Sequence, residues 1–355
     1  MTTQILKVDK NSTDALKLAS ELLRSGQLVA IPTETVYGLG ANALNKDACL
    51  NIFKAKGRPS DNPLIVHISS PEHAEKFAYT NELYYKLARA FMPGPLTIIL
   101  PKKDIIPYEV TAGLDTVAIR CPENEVARAL IEMAQIPIAA PSANTSGKPS
   151  PTTAQHVFDD MNGKIPLILD GGECGIGVES TVISITENEI TLLRPGAITA
   201  EMLSPLCKRV TIANAVKEEL KQGQVALSPG MKYKHYAPSA NLYLVDDRYI
   251  DFISLAKEKQ QSENCAIMCY DEEMELLDSK NLLPVGKKED IKEQTKRLFI
   301  LLRKADDLGV ETVYAHLPSD EGESLAIYNR MIRACAHRVL GKGAKEKASK
   351  EGEKK

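Results

Sequence analysis

The sequence predicts an α/β fold, with a twisted sheet of mixed strand direction in an N-terminal domain and a smaller, Rossmann-like α/β domain after it. The chain has 355 residues, which exceeds the length at which one hydrophobic core usually keeps growing. Short apolar runs alternate with segments of helical periodicity in two regions. Between these regions, Ser228 to Pro238 lacks regular periodicity and contains prolines near both ends, which is typical of a linker.

These observations divide the chain into four segments. We assign residues 1–210 to the N-terminal domain, 211–239 to the linker and 240–340 to the C-terminal domain. The tail, residues 341–355, contains six lysines and three glutamates, a net charge of 6 − 3 = +3, and no apolar residue larger than alanine. Such a tail cannot bury a core, so we predict that it is disordered.

The first elements are a helix and a buried strand. Ser12 or Thr13 can cap a helix whose apolar residues keep helical spacing until Gly26. The apolar run 28–31 predicts a strand, and Pro32 should end it. The polar stretch 33–40 that follows contains two glycines and is interpreted as a functional loop.

The rest of the N-terminal domain alternates in the same way. Predicted helices cover 47–56 and 199–206. Predicted strands cover 64–68, 96–100, 117–121, 136–140, 167–169, 181–185 and 190–193. This alternation indicates a mixed sheet with helices packed against it.

The C-terminal domain repeats the alternation on a smaller scale. Apolar runs at 242–245, 265–269 and 312–315 predict strands. Helical patterns cover 249–259, 291–308 and 324–340. Strands that alternate with helices predict a second α/β sheet.

Composition limits the classes of function. The formal net charge is −3 and the pI about 6.1, whereas proteins held to nucleic acid through phosphates usually have a basic domain or stripe. The seven cysteines form no C-x-x-C pair, so we expect reduced, mostly buried thiols. The first ten residues lack the apolar core of a secretory signal and no segment is long and apolar enough to span a membrane, so we expect a cytoplasmic protein.

A cluster of cations is the first candidate for chemistry. Lys54, Lys56 and Arg58 lie within five residues at a predicted helix end, followed by a turn with two prolines. Surface charge is the usual explanation of such a run. Because the glycine and prolines restrict the backbone here, we favour a fixed cluster that receives phosphate oxygens.

The second candidate is the loop 139–150, which follows a predicted strand and is rich in small hydroxyl residues. Loops at strand ends often hold ligands in α/β proteins, although an ordinary Ser/Pro-rich turn would have the same composition. No G-x-x-x-x-G-K-[ST] motif occurs, so any ATP site works without a P-loop. No histidine pairs with another histidine or cysteine at metal-ligand spacing, so we expect no metal site built from dedicated protein ligands.

Eight short motifs occur in the order typical of one family. The motifs are P-T-E-T-V-Y-G-L-G at 32–40, K-x-K-x-R-P at 54–59, N-P-L at 62–64, P-G-P-L-T at 93–97, R-x-P at 120–122, P-S-A-N-x-S-G at 141–147, E-S-T-V at 179–182 and L-R-P-G at 193–196. With these motifs the chain resembles the YrdC-like family of threonylcarbamoyl-AMP synthases, in the long form that carries a C-terminal domain after an S-P-G-M-K-Y-x-H-Y-A-P linker.

The resemblance implies a reaction and its participants. L-threonine, bicarbonate or CO2, and ATP with Mg²⁺ would give threonylcarbamoyl-AMP and pyrophosphate. A separate transferase would then pass the threonylcarbamoyl group to an adenosine of tRNA. Such a site must hold a carbamate and a triphosphate together against their repulsion, which requires cations and fixed dipoles.

The resemblance also implies roles for individual residues. Lys56 and Arg58 are the expected catalytic cations, and Arg120 would bind the threonine carboxylate through its two-pronged guanidinium. The expected ATP contacts are Lys56, Arg58, Asn62, Thr116, Ser142, Asn144, Ser150, Arg194 and Tyr236. The expected threonine contacts are Thr35, His67, Arg120, Ala140 and Ser180.

Two questions stay open from the sequence. Tyr233, His235 and Tyr236 in the linker either form a lid over ATP or belong to a passive tether that packs between domains. The competing function is an RNA-binding module without turnover, which the acidic charge balance disfavours. Carbamoyl transfer in hydrogenase maturation is a weaker alternative, because the zinc-finger cysteine pairs of those longer chains are missing.

Overall fold

The computed structural model describes residues 2–218 and 236–341. These divide into two compact units. One contains residues 2–146 and 150–218, and the other contains residues 147–149 and 236–341. Within the described ranges, no helix is long and apolar enough to cross a membrane.

A mixed sheet of eleven strands forms the first unit. Its strands lie in the order β1-β8-β2-β3-β7-β4-β6-β5-β9-β10-β11, with both parallel and antiparallel neighbours. The strands are β1 Gln4–Lys7, β2 Val29–Ile31, β3 Gly38–Asn42, β4 Ile65–His67, β5 Leu96–Pro101, β6 Thr116–Arg120, β7 Ile138–Ala139, β8 Leu167–Asp170, β9 Thr181–Ile185, β10 Glu189–Arg194 and β11 Arg209–Ile212. The predicted twisted mixed sheet is confirmed.

Helices accompany this sheet and bury apolar faces. The helices are α1 Thr13–Arg24, α2 Lys46–Lys56, α3 Glu82–Phe91, α4 Tyr108–Thr111, α5 Glu125–Ala134, α6 Ala154–Met161 and α7 Ala200–Leu203. Leu16 and Leu23 of α1 and Leu130 of α5 are fully buried in one cluster with Ile31 and Leu167 of the sheet. Burying each such leucine contributes roughly 1.5–3 kcal/mol relative to exposure.

A four-stranded parallel sheet forms the second unit, in the order β13-β14-β12-β15. Its strands are β12 Asn241–Val245, β13 Cys265–Met268, β14 Thr312–His316 and β15 Val339–Leu340. Its helices are α8 Phe252–Ser262, α9 Ile291–Asp307 and α10 Leu325–Ala334. Because all four strands are parallel, their carboxyl ends lie at one edge of the sheet.

The structure assigns three predicted segments to a different type of element, and it contains two strands, β1 and β11, that were not predicted. Gly38 to Gly40, assigned to the loop, lie in β3 and pair with β2. The last helix ends at Ala334 and not at Leu340, because Ala336 and His337 have positive φ angles of 48° and 58°. Residues 339–340 instead form β15 beside β12.

Two further differences are at element boundaries. Ser12 occupies the N-cap position of α1, but its hydroxyl donates to Asp9 and does not cap the helix. Strand β11 continues to Ile212, past the residue at which we began the linker. The predicted tail lies almost entirely outside the described residues. All seven cysteines are unpaired thiols, and six of them are buried.

Candidate active site

Strand register brings the predicted threonine-binding residues together in the first unit. Across β7, β4, β6 and β5, Ile138 lies opposite His67, His67 opposite Arg120, and Arg120 opposite Thr97. Ala140 follows β7 directly, and its amide donates to the Ile65 carbonyl at 2.9 Å. Residues that are distant in sequence therefore form one row across the sheet.

Arg120 is held in this row by a carboxylate. Its side chain is 4% exposed, and Nη2 lies 2.6 Å from Oε1 of Glu34, whose side chain is 11% exposed. Nε also donates to the Gly94 carbonyl at 3.4 Å. Burial opposes ionisation of Glu34, but the guanidinium of Arg120 outweighs it and holds the pKa of Glu34 below its usual value. The pair fixes the plane of the guanidinium.

His67 is a neutral neighbour of this ion pair. The ring is buried, and Nδ1 lies 3.1 Å from the Ile65 carbonyl oxygen. Burial, reinforced by the charge of Arg120, lowers the pKa of His67 to about 3. His67 therefore contributes a hydrogen-bonding ring near neutral pH and no positive charge.

Thr35 lies in a loop that backbone and hydroxyl groups tie down. Its hydroxyl is 2.9 Å from that of Thr33, which also donates to the Val36 carbonyl at 2.6 Å. The carbonyl of Thr35 accepts from the amide of Gly177 at 3.2 Å. The amides of Ile176 and Gly177, at the end of the G-x-x-x-G-I-G stretch that begins at Gly171, thus support the loop through the carbonyls of Glu34 and Thr35.

Ser180 connects the threonine row to Arg194. Its hydroxyl lies 2.8 Å from the hydroxyl of Thr97 and 3.1 Å from Nη2 of Arg194. Nε of Arg194 donates to the Ser180 carbonyl at 3.0 Å. These residues are all buried, so this polar group is rigid as well as internally hydrogen-bonded.

A second group joins the cation cluster to the hydroxyl-rich loop. Nζ of Lys56 donates to the carbonyl oxygens of Ser142 and Asn144, the latter at 2.6 Å, and lies 3.3 Å from Oδ1 of Asn144. The Lys56 carbonyl in turn accepts from the amide of Ser146 at 2.9 Å. Helix α2 ends at Gly57 with φ 64°, a left-handed conformation that favours glycine.

The structure leaves other predicted ATP residues less connected to these groups. Ser150 is buried and donates to Glu179, and Asn62 is buried after the cation cluster. The guanidinium of Arg58 lies 6.0 Å from the ring centre of Phe53. Thr116 begins β6 and Arg120 ends it, so four residues of extended chain, about 13 Å, separate them.

The linker residues are only partly described. Tyr236 belongs to the second unit, where its buried ring lies 5.2 Å from that of Phe299 and 5.7 Å from the guanidinium carbon of Arg330. Tyr233 and His235 lie outside the described residues. The predictions that these three side chains contact ATP or form a lid stay predictions.

Three residues at the site were not assigned a role from the sequence. Glu34, Thr97 and Glu179 each lie inside a family motif and contact Arg120, Ser180 and Ser150, respectively. A charged residue in an otherwise apolar or small-residue motif is a signal that could have identified the two glutamates. Thr97 ends an ordinary-looking P-G-P-L-T turn, and only the strand register shows its neighbour.

The predicted site residues include four basic side chains, Lys56, Arg58, Arg120 and Arg194, and the contacts described above add two acidic ones, Glu34 and Glu179. The excess of cations suits anionic ligands. In residues 2–218 and 236–341, no group of three or more His, Cys, Asp or Glu is arranged to hold a metal ion.

Comparison with known proteins identifies the family. A family model named for Sua5, YciO and YrdC and described as "Telomere recombination" matches residues 21–196. A second model, described as "Threonylcarbamoyl-AMP synthase, C-terminal domain", matches residues 198–336. The two matches together span both structural units.

Full-length relatives agree with the domain models. The chain is similar to threonylcarbamoyl-AMP synthase of Pyrococcus abyssi, with 45% identity over 92% of this chain and 95% of the relative. It is also similar to the Bacillus subtilis enzyme of that name, with 43% identity over 91% of this chain and 93% of the relative. The crystal structure of P. abyssi Sua5 complexed with L-threonine superposes with a TM-score of 0.86, at 43% identity over 95% of this chain and 99% of that one.

The near-complete overlap covers both the polar row of the first unit and the parallel sheet of the second. The chain therefore belongs to the Sua5-type threonylcarbamoyl-AMP synthases, enzymes of tRNA threonylcarbamoyladenosine synthesis that combine a YrdC-like domain with a Sua5 C-terminal domain.

Proposed function

We propose that the row of Ala140, His67, Arg120 and Ser180 binds L-threonine, and that the groups around Lys56 and Arg194 bind ATP. The observation that carries this assignment is the buried guanidinium of Arg120, which lies between His67 and Thr97 in the strand register. His67 is neutral near pH 7, and the Thr97 hydroxyl is hydrogen-bonded to that of Ser180. The crystallised P. abyssi relative in complex with L-threonine supports threonine as the substrate.

Arg120 is suited to the threonine carboxylate. Glu34 and Gly94 use Nη2 and Nε, and a planar guanidinium has five N–H donors, so donors remain for a second carboxylate. The ring of His67 can hydrogen-bond without adding charge that would repel the substrate ammonium. Thr35 and Ser180 supply hydroxyl partners for a small polar side chain.

The remaining cations of the predicted site would hold the triphosphate. Lys56, Arg58 and Arg194 can stabilise negative charge as it shifts onto the leaving pyrophosphate. Asn62, Thr116, Ser142, Asn144 and Ser150 provide neutral donors for the rest of the nucleotide. The carbamate formed from threonine supplies the nucleophile: one of its oxygens bonds to the α-phosphorus as the bond to the pyrophosphate oxygen breaks.

The donor set fits Mg²⁺ that arrives with ATP. Mg²⁺ prefers oxygen ligands and is often bound through substrate phosphates with one or two carboxylates. Here Glu34 is paired with Arg120 and Glu179 accepts from Ser150, which leaves the triphosphate as the main ligand. When bound, the ion would neutralise charge on the phosphates.

The product passes to a separate threonylcarbamoyl transferase that acts on tRNA, and a cytoplasmic location agrees with that substrate.

A site that makes a labile mixed anhydride benefits from excluding water, so we propose that Tyr233, His235 and Tyr236 contribute a cover over ATP.

A substrate survey tests the reaction. The full chain is given ATP, Mg²⁺, bicarbonate and each amino acid in turn, and pyrophosphate release and the acyl-adenylate mass are measured. We expect release that depends on threonine, with the mass of threonylcarbamoyl-AMP. Release at equal rates without threonine would overturn the substrate assignment.

The carboxylate clamp has its own test. Arg120→Lys keeps a positive charge but loses the planar fork, so threonine affinity should fall at least tenfold while ATP affinity changes little. Calorimetric titration with each ligand separates the two effects. Equal losses for both ligands would contradict a clamp.

A further inference from the structure

The second unit contains a cavity that the proposed reaction does not use. It has a volume of about 300 Å³, at the lower end of the range for small-molecule sites. It lies at the carboxyl edge of the parallel sheet, where Met268 ends β13 and His316 ends β14. Asp247, two residues after β12, also lines it.

The topology of the sheet explains a cavity at this position. The connection after β12 leads to β13, whereas the connection after the adjacent strand β14 leads to β15 on the other side of β12. Right-handed crossovers in opposite directions place their helices on opposite faces of the sheet, so the loops after β12 and β14 diverge. Open α/β sheets bind ligands in the crevice at such a switch point.

One wall of the cavity is polar and rigid. Nδ1 of His316 lies 2.8 Å from Oδ2 of Asp247, and Nε2 lies 2.9 Å from Oε2 of Glu273. The imidazole also stacks on Phe252 and Tyr270, with ring centres 3.6 and 4.5 Å away. Both ring nitrogens are occupied, so His316 positions its neighbours and has no nitrogen left for a ligand.

Asp247 is the group on this wall that can meet a ligand. Its side chain is 47% exposed, and the hydrogen bond to His316 uses only Oδ2. The fixed imidazole therefore holds a half-exposed carboxylate in place with Oδ1 available as an acceptor.

Side chains of α9 and α10 form an apolar part of the cavity lining. Ile291 and Leu298 are seven residues apart on α9, and Ile327 and Met331 are four apart on α10, so each pair lies on one helix face. These side chains offer a hydrophobic surface, which is suited to a flat or aliphatic group.

Charge argues against a phosphorylated ligand. Among the charged residues that line the cavity, Asp247 and Glu289 equal Lys288 and a protonated His316 in number. Glu273, which is hydrogen-bonded to His316, adds a third carboxylate behind the imidazole. The loop after β12 reads Asp246-Asp247-Arg248-Tyr249, with no glycine to let a pyrophosphate approach the backbone. The site suits an uncharged molecule that donates hydrogen bonds.

We propose that this cavity binds a nucleoside, with ribose hydroxyls donating to Asp247 and the base against Ile327 and Leu298. In dinucleotide folds, an acidic residue at the sheet edge accepts from ribose hydroxyls in the same way. The loop after β12 has no glycine, and the cations that line the cavity do not outnumber its carboxylates, so we expect the nucleoside to bind in preference to its phosphates. The site would be separate in sequence and in structural unit from the ATP site.

Calorimetry on the full chain tests this site. A non-hydrolysable ATP analogue first saturates the first unit, and adenosine is then titrated; guanosine, cytidine and uridine are titrated in separate runs. We expect one further molecule of at least one nucleoside to bind per chain, and its 5′-monophosphate to bind at least tenfold more weakly. No binding of any of the four, or tighter binding of the monophosphate, would overturn the proposal.

Variants locate the binding. Asp247→Asn retains a hydrogen-bond acceptor for His316 but loses the charge, and should weaken nucleoside binding at least tenfold. Ile327→Trp should abolish it by filling the cavity. The matched control is Glu258→Gln, an exposed carboxylate on α8 that does not line the cavity. Binding that all three variants retain would refute the site, and Asp247→Asn keeps the test valid if Ile327→Trp does not fold.

Discussion

At the scale of single residues, the site depends on how Arg120 is neutralised before substrate arrives. An unpaired buried charge is costly, and Glu34 supplies the countercharge at 2.6 Å. The same guanidinium is proposed to take the threonine carboxylate. If Arg120 binds the substrate carboxylate as proposed, Glu34 is a positioning residue, which fixes the guanidinium without occupying all of its donors.

Glu34→Gln tests this arrangement. Removal of one partner of a buried pair should lower the free energy of unfolding by about 3–5 kcal/mol. Threonine should then raise the melting temperature of the variant more than that of the parent, because its carboxylate replaces the missing charge. Thermal unfolding with and without threonine measures both effects, and Glu187→Gln on an exposed turn is the control. Identical threonine-induced shifts would show that the substrate carboxylate does not meet Arg120.

His67 predicts a pH dependence of stability. Its folded pKa is lowered to about 3, below the usual value near 6.5, so the unfolded chain binds more protons between these pH values. This contribution to stability is complete above pH 6.5 and is lost as the pH falls toward 3, by up to about 1.4 kcal/mol per pH unit.

Comparison of variants isolates this effect. Denaturant unfolding from pH 7 to pH 4 should show a shallower loss of stability for His67→Gln than for the parent. His73→Gln, a partly buried histidine in the same unit, should follow the parent curve. Parallel curves for His67→Gln and the parent would mean that folding does not lower the pKa of His67.

At the scale of elements, Ser180 and Arg194 lie at the open end of the β9–β10 hairpin, where β9 begins and β10 ends. Gly196 follows β10, and a Cβ atom there would lie 2.5 Å from the Thr181 amide nitrogen and 2.9 Å from the Glu179 carbonyl oxygen. Both are backbone atoms, so the strand itself would have to move. The glycine of the L-R-P-G motif thus permits the close approach that places Ser180 beside Arg194.

Gly196→Ala should disturb both stability and activity. We expect a loss of about 1–3 kcal/mol in the free energy of unfolding, as for other overpacked sites, together with a lower kcat for adenylate formation. Gly175→Ala is the matched control, because no atom lies within 4 Å of the Cβ position there. Denaturant unfolding and pyrophosphate release measure the two effects, and a Gly196→Ala variant that matches the control would refute this account.

The elements show which features the sequence could predict. Periodicity identified α1, α2 and most strands to within a few residues, because buried faces repeat regularly. It missed β3, since Gly38-Leu39-Gly40 has the composition of a loop and is a strand only through pairing with β2 and β7. It also extended the predicted helix through the residues of β15. The left-handed backbone at Ala336 and His337 ends α10, but an apolar pattern does not reveal it.

The same limit applied to the site. Family motifs predicted which residues belong to the site, but their grouping follows from strand order, which local patterns do not determine. His67 and Arg120 are adjacent only because β4 and β6 pair in parallel, and Ser180 meets Thr97 only because β5 pairs with β9. Glu34 contacts Arg120 and Glu179 accepts from Ser150, and both contacts can be recognised only from the atomic positions.

At the scale of the whole molecule, the hydroxyl-rich loop is shared between the two units. Residues 147–149 belong to the second unit, while Asn144 and Ser150 on either side belong to the first. Within the second unit, the Pro149 carbonyl accepts from Nη2 of Arg303 at 2.6 Å, and the Gly147 carbonyl accepts from the amide of Ala237 at 3.0 Å. Truncation before Ser228 would remove both donors, so lost activity in such a fragment would not by itself demonstrate a lid.

Single substitutions in the full chain separate the two contributions. Arg303→Ala removes a charged donor to Pro149, and such hydrogen bonds contribute about 1.5–3 kcal/mol. We expect the KM for ATP to rise about tenfold, with the KM for threonine nearly unchanged, because the loosened segment adjoins the predicted ATP residues Asn144 and Ser150. Lys304→Ala, the exposed neighbour on α9, is the control. If the linker is a lid, Tyr233→Ala and His235→Ala should instead increase ATP hydrolysis without product, since water then reaches the site. An Arg303→Ala variant with parental ATP kinetics would show that the hydrogen bond to Pro149 does not order the adjoining ATP residues.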